Sequence, residues 1–151
     1  MDKLIMAIAT GGFIGYLPKA PGTWGTLIAF PIHFLLCMLS PGGYIIGLVL
    51  IFFLSIITAG SAEKIIDRKD PGVIVIDEVI GMLIALIGAP ANPLVWFIAF
   101  LLFRFFDIIK PFPVNWPDQH LNGGYGIVLD DVFAGIYTLL ILQAGYLLLG
   151  I

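Results

Sequence analysis

The sequence is poor in the residues that mark soluble, disulfide-linked or nucleic-acid-binding proteins. Charged residues make up only 11% of its 151 positions, against about 25% in ordinary soluble domains. The single cysteine, Cys37, cannot form an internal disulfide. A net charge of −3 and the lack of any basic run exclude a nucleic-acid surface. Hydrophobic residues make up 60% of the chain and the mean hydropathy is +1.09, so the sequence predicts a protein whose solvent is lipid.

Apolar stretches alternate with turns and polar segments along the whole chain. The stretches are Leu4–Leu17, Thr26–Leu39, Tyr44–Gly60, Val73–Ala89, Leu94–Ile109 and Val128–Leu149. The connecting segments are Lys19–Gly25, Ser40–Gly43, Ser61–Gly72, Pro90–Pro93 and Lys110–Tyr125, most of them rich in proline and glycine. We therefore expect one all-α, polytopic membrane domain over residues 1–151. It would contain four or five membrane helices and a short N-terminal segment that lies at the interface or re-enters the membrane.

The charged residues are distributed on one side of this arrangement. When the chain is threaded through the bilayer from Thr26, the turns Ser40–Gly43 and Pro90–Pro93 and the terminal Gly150-Ile151 fall together and carry no charge. All seven Lys and Arg and all ten Asp and Glu fall on the opposite side or at helix ends facing it. Lys and Arg are enriched in the cytoplasmic loops of membrane proteins. The charged side is therefore predicted to be cytoplasmic, provided that Leu4–Leu17 does not cross the membrane.

Two apolar stretches carry a pair of adjacent acids near their start. Val75–Gly81 reads VIDEVIG, and Val128–Gly135 reads VLDDVFAG. Gly81 and Ala134 lie one helical turn beyond the first acid of each pair, and residues this small let two helices approach closely. Side by side, such helices would present four carboxylates to one space. These are Asp77, Glu78, Asp130 and Asp131.

The acid pairs have two explanations. Acids at a helix start cap free N–H groups and complement the helix dipole, which accounts for one acid per helix better than for an adjacent pair. A carboxylate costs about 2.5–3.5 kcal/mol at the bilayer centre, and clustered carboxylates repel one another; a divalent cation relieves both costs. We therefore favour a metal site, whose oxygen-only ligands indicate Mg²⁺, Mn²⁺ or Ca²⁺. Zinc would normally add His or Cys, but His33 reads as a core residue and His120 as a solvated loop residue.

A third stretch places cations beside the acids. Phe103–Pro111 reads FRFFDIIKP, and Arg104, Asp107 and Lys110 follow one another at three-residue steps. An intrahelical ion pair and snorkelling explain Lys110 at the membrane edge, but Arg104 lies almost two turns inside the apolar run. A fifth carboxylate, a guanidinium and an ammonium beside clustered acids indicate phosphate chemistry.

The segment Ala20–Thr26 is predicted to be a loop that leads into a helix. Its glycines and hydroxyls suit an anion held by backbone N–H groups, although an ordinary loop followed by a helix cap explains it equally well. The candidate phosphate contacts here are Gly22, Thr23 and Thr26.

Taken together, these motifs resemble the phosphatidylglycerophosphatase A family of small integral membrane enzymes. The resemblance covers nearly the whole chain and depends on the order, spacing and sidedness of five segments. They are Pro21–Leu27, Asp70-Pro71, Val75–Met82, Phe103–Pro113 and Gly123–Asp131. It implies a Mg²⁺-dependent lipid phosphatase in the cytoplasmic membrane that removes the phosphomonoester of phosphatidylglycerophosphate.

The resemblance also implies roles for individual residues. Five acids would bind metal and act in catalysis, namely Asp77, Glu78, Asp107, Asp130 and Asp131, while Arg104 and Lys110 would contact phosphate. The expected reaction is metal-assisted hydrolysis with a carboxylate as general base, on a phospholipid substrate whose tails stay among the helices. Two alternatives stay open: another lipid head-group enzyme, such as a CDP-alcohol phosphatidyltransferase, and a small transporter or channel with a carboxylate cation site. The sequence indicates no oligomeric state.

Overall fold

The chain folds as a bundle of helices. A computed structural model describes residues 1–149, and within that range it contains seven α-helices and no strand. The helices are α1 (Asp2–Ala9), α2 (Pro21–Cys37), α3 (Pro41–Ile66), α4 (Ile76–Ala85), α5 (Pro93–Ile109), α6 (Trp116–His120) and α7 (Gly124–Leu149). The all-α prediction is confirmed. Gly150-Ile151, predicted to lie on the uncharged side, falls outside the described residues.

Two of the helices begin and end with the same local signals. Ser40 precedes α3 and Asn92 precedes α5, and each side-chain oxygen accepts a hydrogen bond from a backbone N–H of the first turn. A proline follows at the first helical position, where its missing N–H is not needed. Asp67 and Lys110 then end these helices in the left-handed region, with φ of 53° and 46°.

The predicted loop over Lys19–Gly25 is wrong, because α2 already begins at Pro21. Ala20 reverses the chain with a φ of 48°, and Pro21 supplies the φ that a first helical turn requires. The glycines serve close packing rather than a loop. A Cβ on Gly25 would lie 2.6 Å from Cβ of Val75, so only glycine lets α2 approach that residue.

The other segments differ from their predictions in smaller ways. The predicted loop Lys110–Tyr125 contains α6 and the first two residues of α7, so the acid pair of VLDDVFAG lies beyond the first turn of α7 and not at the predicted helix start. Helix α3 continues into the predicted polar segment as far as Ile66. The N-terminal stretch is divided into α1 and a 3₁₀ turn over Ile14–Tyr16. Because α1 has only eight residues, it extends about 12 Å and is too short to cross a bilayer.

Helix α4 forms the centre of the bundle. It packs against α2, α3, α5 and α7, and eight of its ten residues are buried. At about 15 Å it cannot span a membrane, so the apolar run Val73–Ala89 reflects burial in protein rather than contact with lipid. Among the described helices, α3 and α7 are long and apolar enough to cross. The predicted four or five spans are therefore not confirmed.

Helices α4 and α7 cross where glycines replace larger side chains. A Cβ on Gly81 would lie 2.6 Å from the carbonyl oxygen of Asp131, and a Cβ on Gly135 would overlap the carbonyl of Gly81. The neighbouring Ala134 is fully buried. The predicted close approach through small residues is thus present, and it brings the two acid pairs side by side.

Candidate active site

Four helix ends meet at one end of the bundle. The N-terminal turns of α2, α4 and α7 and the C-terminal turn of α5 converge there. A Cβ on Gly22 in α2 would overlap Oε1 of Glu78 in α4 and lie 2.9 Å from Nη1 of Arg104 in α5. Lys110, at the end of α5, contacts Asp130 in α7 at 2.5 Å. Residues that are far apart in the sequence therefore share one polar region.

Three carboxylates from two helices form a compact group that we call the carboxylate cluster. It consists of Asp77, Glu78 and Asp131, each of which offers one oxygen within 4.8 Å of the others. Asp77 and Asp131 are buried, with 7% and 3% exposure, and Glu78 is partly buried. Oδ1 of Asp77 and Oε2 of Glu78 have no hydrogen-bond partner among the described residues. Buried carboxylate oxygens without donors fit a hard divalent cation such as Mg²⁺.

Asp130 lies next to the cluster but has its own cation. Its Oδ2 accepts a hydrogen bond from the Lys110 ammonium at 2.5 Å, and its Oδ1 accepts one from the backbone N–H of Asp131 at 2.9 Å. Burial alone would lower the pKa of Lys110, but the negative charge of Asp130 outweighs burial and raises that pKa above its usual value. The lysine therefore stays charged at neutral pH.

Arg104 connects Asp107 to the carboxylate cluster. Its Nη1 lies 2.5 Å from Oδ2 of Asp107 and 3.8 Å from Oε1 of Glu78. These are charge contacts rather than aligned hydrogen bonds, because the buried Nε and Nη1 have no hydrogen-bond acceptor within residues 1–149. A guanidinium with free donors beside the carboxylate cluster is suited to an oxyanion such as phosphate.

The start of α2 contributes backbone rather than hydroxyl groups. Gly22 is buried against Glu78 and Arg104. The backbone N–H of Thr23 donates to Ala20. The Thr26 hydroxyl is fully buried and donates to the carbonyl of Gly22 at 2.8 Å. Thr26 therefore fixes the first turn of the helix, and Gly22 stands directly beside the charged side chains.

Charge balance separates the five predicted acids into two groups. Asp107 pairs with Arg104 and Asp130 pairs with Lys110. The three acids without a paired cation of their own are those of the carboxylate cluster. Asp107 nevertheless lies near enough to Asp131 for their charges to interact. All five acids that the sequence singled out are thus close together, with different partners.

One further acid, Asp70, was not predicted as a site residue. Its charge interacts with those of Lys110, Asp77 and Asp130. Partial burial raises the pKa of the Asp70 carboxyl, and the positive charge of Lys110 partly opposes the rise. The signal in the sequence was weak, because Asp70 belongs to a polar, charge-rich segment in which acids are ordinarily solvated.

The two histidines and the cysteine lie outside this region, as expected. His33 is 1% exposed and its ring packs edge-on against Tyr44 and Trp96. His120 contacts the carbonyl of Trp116 through Nδ1 at 2.9 Å. Cys37 is exposed on α2. Among the described residues, none of the three contributes an atom to the carboxylate cluster.

Comparison with known proteins points to one family. A family model described as Phosphatidylglycerophosphatase A matches residues 7–146. A phosphatidylglycerophosphatase A from Haemophilus influenzae is 38% identical over 93% of this chain and 87% of its own length. The Escherichia coli protein of the same name is 37% identical over 87% of this chain and 77% of its own length.

A third relative carries a different name. A putative phosphatidylinositol-3-phosphatase from Bacteroides thetaiotaomicron is 35% identical over 97% of this chain and 96% of its own length. No solved structure matches the chain at a significant level.

Proposed function

Since this chain belongs to the phosphatidylglycerophosphatase A family, we propose that it hydrolyses the phosphomonoester of phosphatidylglycerophosphate to phosphatidylglycerol and inorganic phosphate. The observation that carries the proposal is the carboxylate cluster with Arg104 at its side. A cation site next to free guanidinium donors has the composition that phosphoryl transfer requires.

The carboxylate cluster is the proposed Mg²⁺ site. Asp77 and Glu78 from α4 and Asp131 from α7 would hold the ion, because their oxygens converge and two of them lack hydrogen-bond donors. When bound, Mg²⁺ supplies charge neutralisation at phosphate oxygens and lowers the pKa of water. Asp107 and Asp130 keep the two cations in position through their ion pairs.

The chain's own groups then account for the remaining steps. Arg104 and Lys110 bind the phosphate oxygens and stabilise the charge that develops on them. A carboxylate of the cluster takes a proton from water as the water oxygen bonds to phosphorus. The bond between phosphorus and the glycerol oxygen breaks, and the proton held by the carboxylate passes to that oxygen, which leaves as a hydroxyl group. Gly22 leaves room for the phosphate beside Glu78 and Arg104.

We place the site at the cytoplasmic face of the inner membrane. The charged ends of α3, α4, α5 and α7 lie at the end of the bundle that holds the site, which agrees with the positive-inside bias of the sequence. Helices α3 and α7 cross the membrane, and α2 and α5 cross as shorter spans. With 17 residues each, they extend about 25 Å, so the bilayer thins locally around them.

A second head group is favoured by one observation. The relative named as a putative phosphatidylinositol-3-phosphatase covers almost the whole chain. Both substrates present a phosphomonoester on a polar head group near the membrane surface, so the same carboxylates and cations would serve either. The competing functions differ only in how the head group beyond the phosphate is recognised.

Phosphate release by the purified protein in detergent micelles tests the proposal. We expect release from phosphatidylglycerophosphate that requires Mg²⁺ and stops with EDTA. The ratio of kcat/KM for phosphatidylglycerophosphate to that for phosphatidylinositol 3-phosphate decides the head group. A protein that binds Mg²⁺ but releases phosphate from neither lipid would contradict the enzyme assignment and favour a cation transporter.

A further inference from the structure

An apolar groove lies on the membrane side of the candidate active site, between α2 and α5. Its volume is about 380 Å³ and it is open on one side. It is lined only by apolar side chains: Leu27, Phe30, Pro93, Trp96, Phe97 and Phe100. We call this cavity the α2–α5 groove.

The groove exists because two helices pack on a third while their own backbones stay apart. Helices α2 and α5 both contact α4, and between themselves they are bridged by aromatic side chains. The ring of Phe30 stacks on that of Trp96 with centroids 5.6 Å apart and meets that of Phe100 at 6.5 Å. The backbones therefore stay apart, and the space between them is open to lipid.

One end of the groove leads directly to the phosphate-binding side chains. On α5, Trp96, Phe100 and Arg104 are spaced four residues apart, so they lie along one face of the helix. On α2, Thr23 and Leu27 are likewise four residues apart, beside Gly22. Arg104 lies one turn, or about 6 Å, from Phe100. The apolar lining thus passes into the charged region on both walls.

The other end continues toward the uncharged end of the bundle, away from the candidate active site. A second cavity of about 170 Å³ lies past Trp96 in the same crease between α2 and α5, lined in part by Phe34 and Cys37. From Pro93 to Phe100, the first cavity alone extends about 10 Å along α5. The crease therefore has the shape of a channel for an extended hydrocarbon chain rather than for a compact ligand.

We propose that the α2–α5 groove holds one acyl chain of the substrate lipid. The inference rests on the proposed function, since only a lipid has a tail covalently tied to the phosphate that Arg104 would bind. Binding of the tail in the groove gains little hydrophobic free energy, because the tail is surrounded by apolar groups in the bilayer as well. Its effect is on orientation: a tail lying in the groove brings the phosphomonoester to the cations and the carboxylate cluster.

A substitution that fills the groove tests this assignment. Leu27→Trp adds bulk to the wall of the groove without touching the charged residues, and Leu50→Trp makes the same change at an exposed position on α3. Two substrates are compared: dipalmitoyl phosphatidylglycerophosphate and its deacylated head group. We expect Leu27→Trp to lower kcat/KM for the dipalmitoyl lipid about tenfold and that for the head group by less than about twofold. Leu50→Trp should leave both unchanged.

The possible results distinguish a failure of the groove assignment from a failure of the proposed function. Equal activity of the two tryptophan variants on the dipalmitoyl lipid, or equal losses by Leu27→Trp on both substrates, would overturn the groove assignment alone. A wild-type protein that releases no phosphate from the dipalmitoyl lipid would overturn the proposed function and, with it, the groove.

Photochemical cross-linking provides a second measurement that does not depend on turnover or on tolerance of the bulky variant. The probe is phosphatidylglycerophosphate with a diazirine in the middle of one acyl chain. We expect cross-links in Pro21–Cys37 and Pro93–Ile109 that unlabelled substrate suppresses and phosphatidylcholine does not. Cross-links spread evenly over α3 and α7, or suppressed equally by both lipids, would contradict the assignment.

Discussion

In α4, both acids of the VIDEVIG segment belong to the carboxylate cluster, whereas in the matching VLDDVFAG segment of α7 only Asp131 does. Asp130 instead pairs with Lys110 at 2.5 Å. The two segments share a sequence pattern and a glycine at the crossing point. The acids of α4 lie in its first turn, whereas those of α7 lie beyond its first turn. The partner that each acid meets, rather than the motif, therefore determines its role.

The difference originates in α5. Lys110 ends that helix in the left-handed region, which places its ammonium within reach of α7 and compensates one acid there. Within residues 1–149 no lysine stands in the same relation to α4, and the cation nearest Glu78 is Arg104, at 3.8 Å. The pair in α4 thus depends on an added cation more than the pair in α7 does.

The largest expected effect comes from replacing each carboxylate of the α7 pair in turn. Asp131→Asn should lower kcat/KM more than about 10³-fold, because it removes a metal ligand. Asp130→Asn should lower it by a smaller factor, about 10²-fold, because its charge serves to hold Lys110. Asp67→Asn, an exposed acid at the end of α3, is the matched control. Phosphate release measures all three, and equal losses for the two α7 variants would remove the distinction between them.

The role of Lys110 can be separated from that of Asp130 by a double substitution. Lys110→Met should lower kcat/KM about 10²-fold. If the lysine also binds phosphate, adding Asp130→Asn should not restore activity, although it removes the buried carboxylate that Lys110→Met leaves unpaired. Recovery to within about threefold of Asp130→Asn alone would show that the lysine only compensates charge.

Metal binding should stabilise the native protein through the α4 pair. At a Mg²⁺ concentration of about 100 times Kd, a single site contributes about 2.7 kcal/mol to the free energy of unfolding. We expect Mg²⁺ to raise the Tm of the wild-type protein in detergent and that of Asp130→Asn, and EDTA to reverse the rise. Asp77→Asn should show little response. An equal Mg²⁺ response from Asp77→Asn would place the ion elsewhere.

The smallest expected effect concerns the crossing that brings the two pairs together. Gly135→Ala would place a methyl group against the carbonyl of Gly81, so we expect a loss of about 1–3 kcal/mol in the free energy of unfolding. Gly145→Ala, farther along α7, meets no atom within 4 Å and should raise helix stability slightly. Thermal unfolding distinguishes them, and a Gly135→Ala variant as stable as Gly145→Ala would contradict the close crossing.

Much of the candidate site could be predicted because charges are conspicuous in an apolar chain. Asp77, Glu78 and Asp131 were identified from their positions in hydrophobic runs, and the structure brings their oxygens together. Which acid meets which cation could not be predicted, since that depends on how each helix is rotated. The backbone conformation of Lys110, for example, is set by the end of α5.

The fold was harder to predict where the same apolar composition can arise from two different surroundings of a helix. Helix α4 is apolar and is surrounded by other helices, whereas α3 is equally apolar although many of its large hydrophobic side chains are exposed. Hydropathy cannot distinguish these cases, so α4 was predicted to be longer than its ten residues. Glycine has the same ambiguity: Gly22 and Gly25 indicated a loop, but they are buried in the first turns of α2.

The most direct test is to locate a divalent ion in the protein. Mn²⁺ replaces Mg²⁺ at oxygen sites and can be identified in crystals by its anomalous scattering. The account predicts a peak in contact with carboxylate oxygens of Asp77, Glu78 and Asp131. A peak on other acids, such as Glu63 and Asp70, or none near α4 at saturating Mn²⁺, would contradict it.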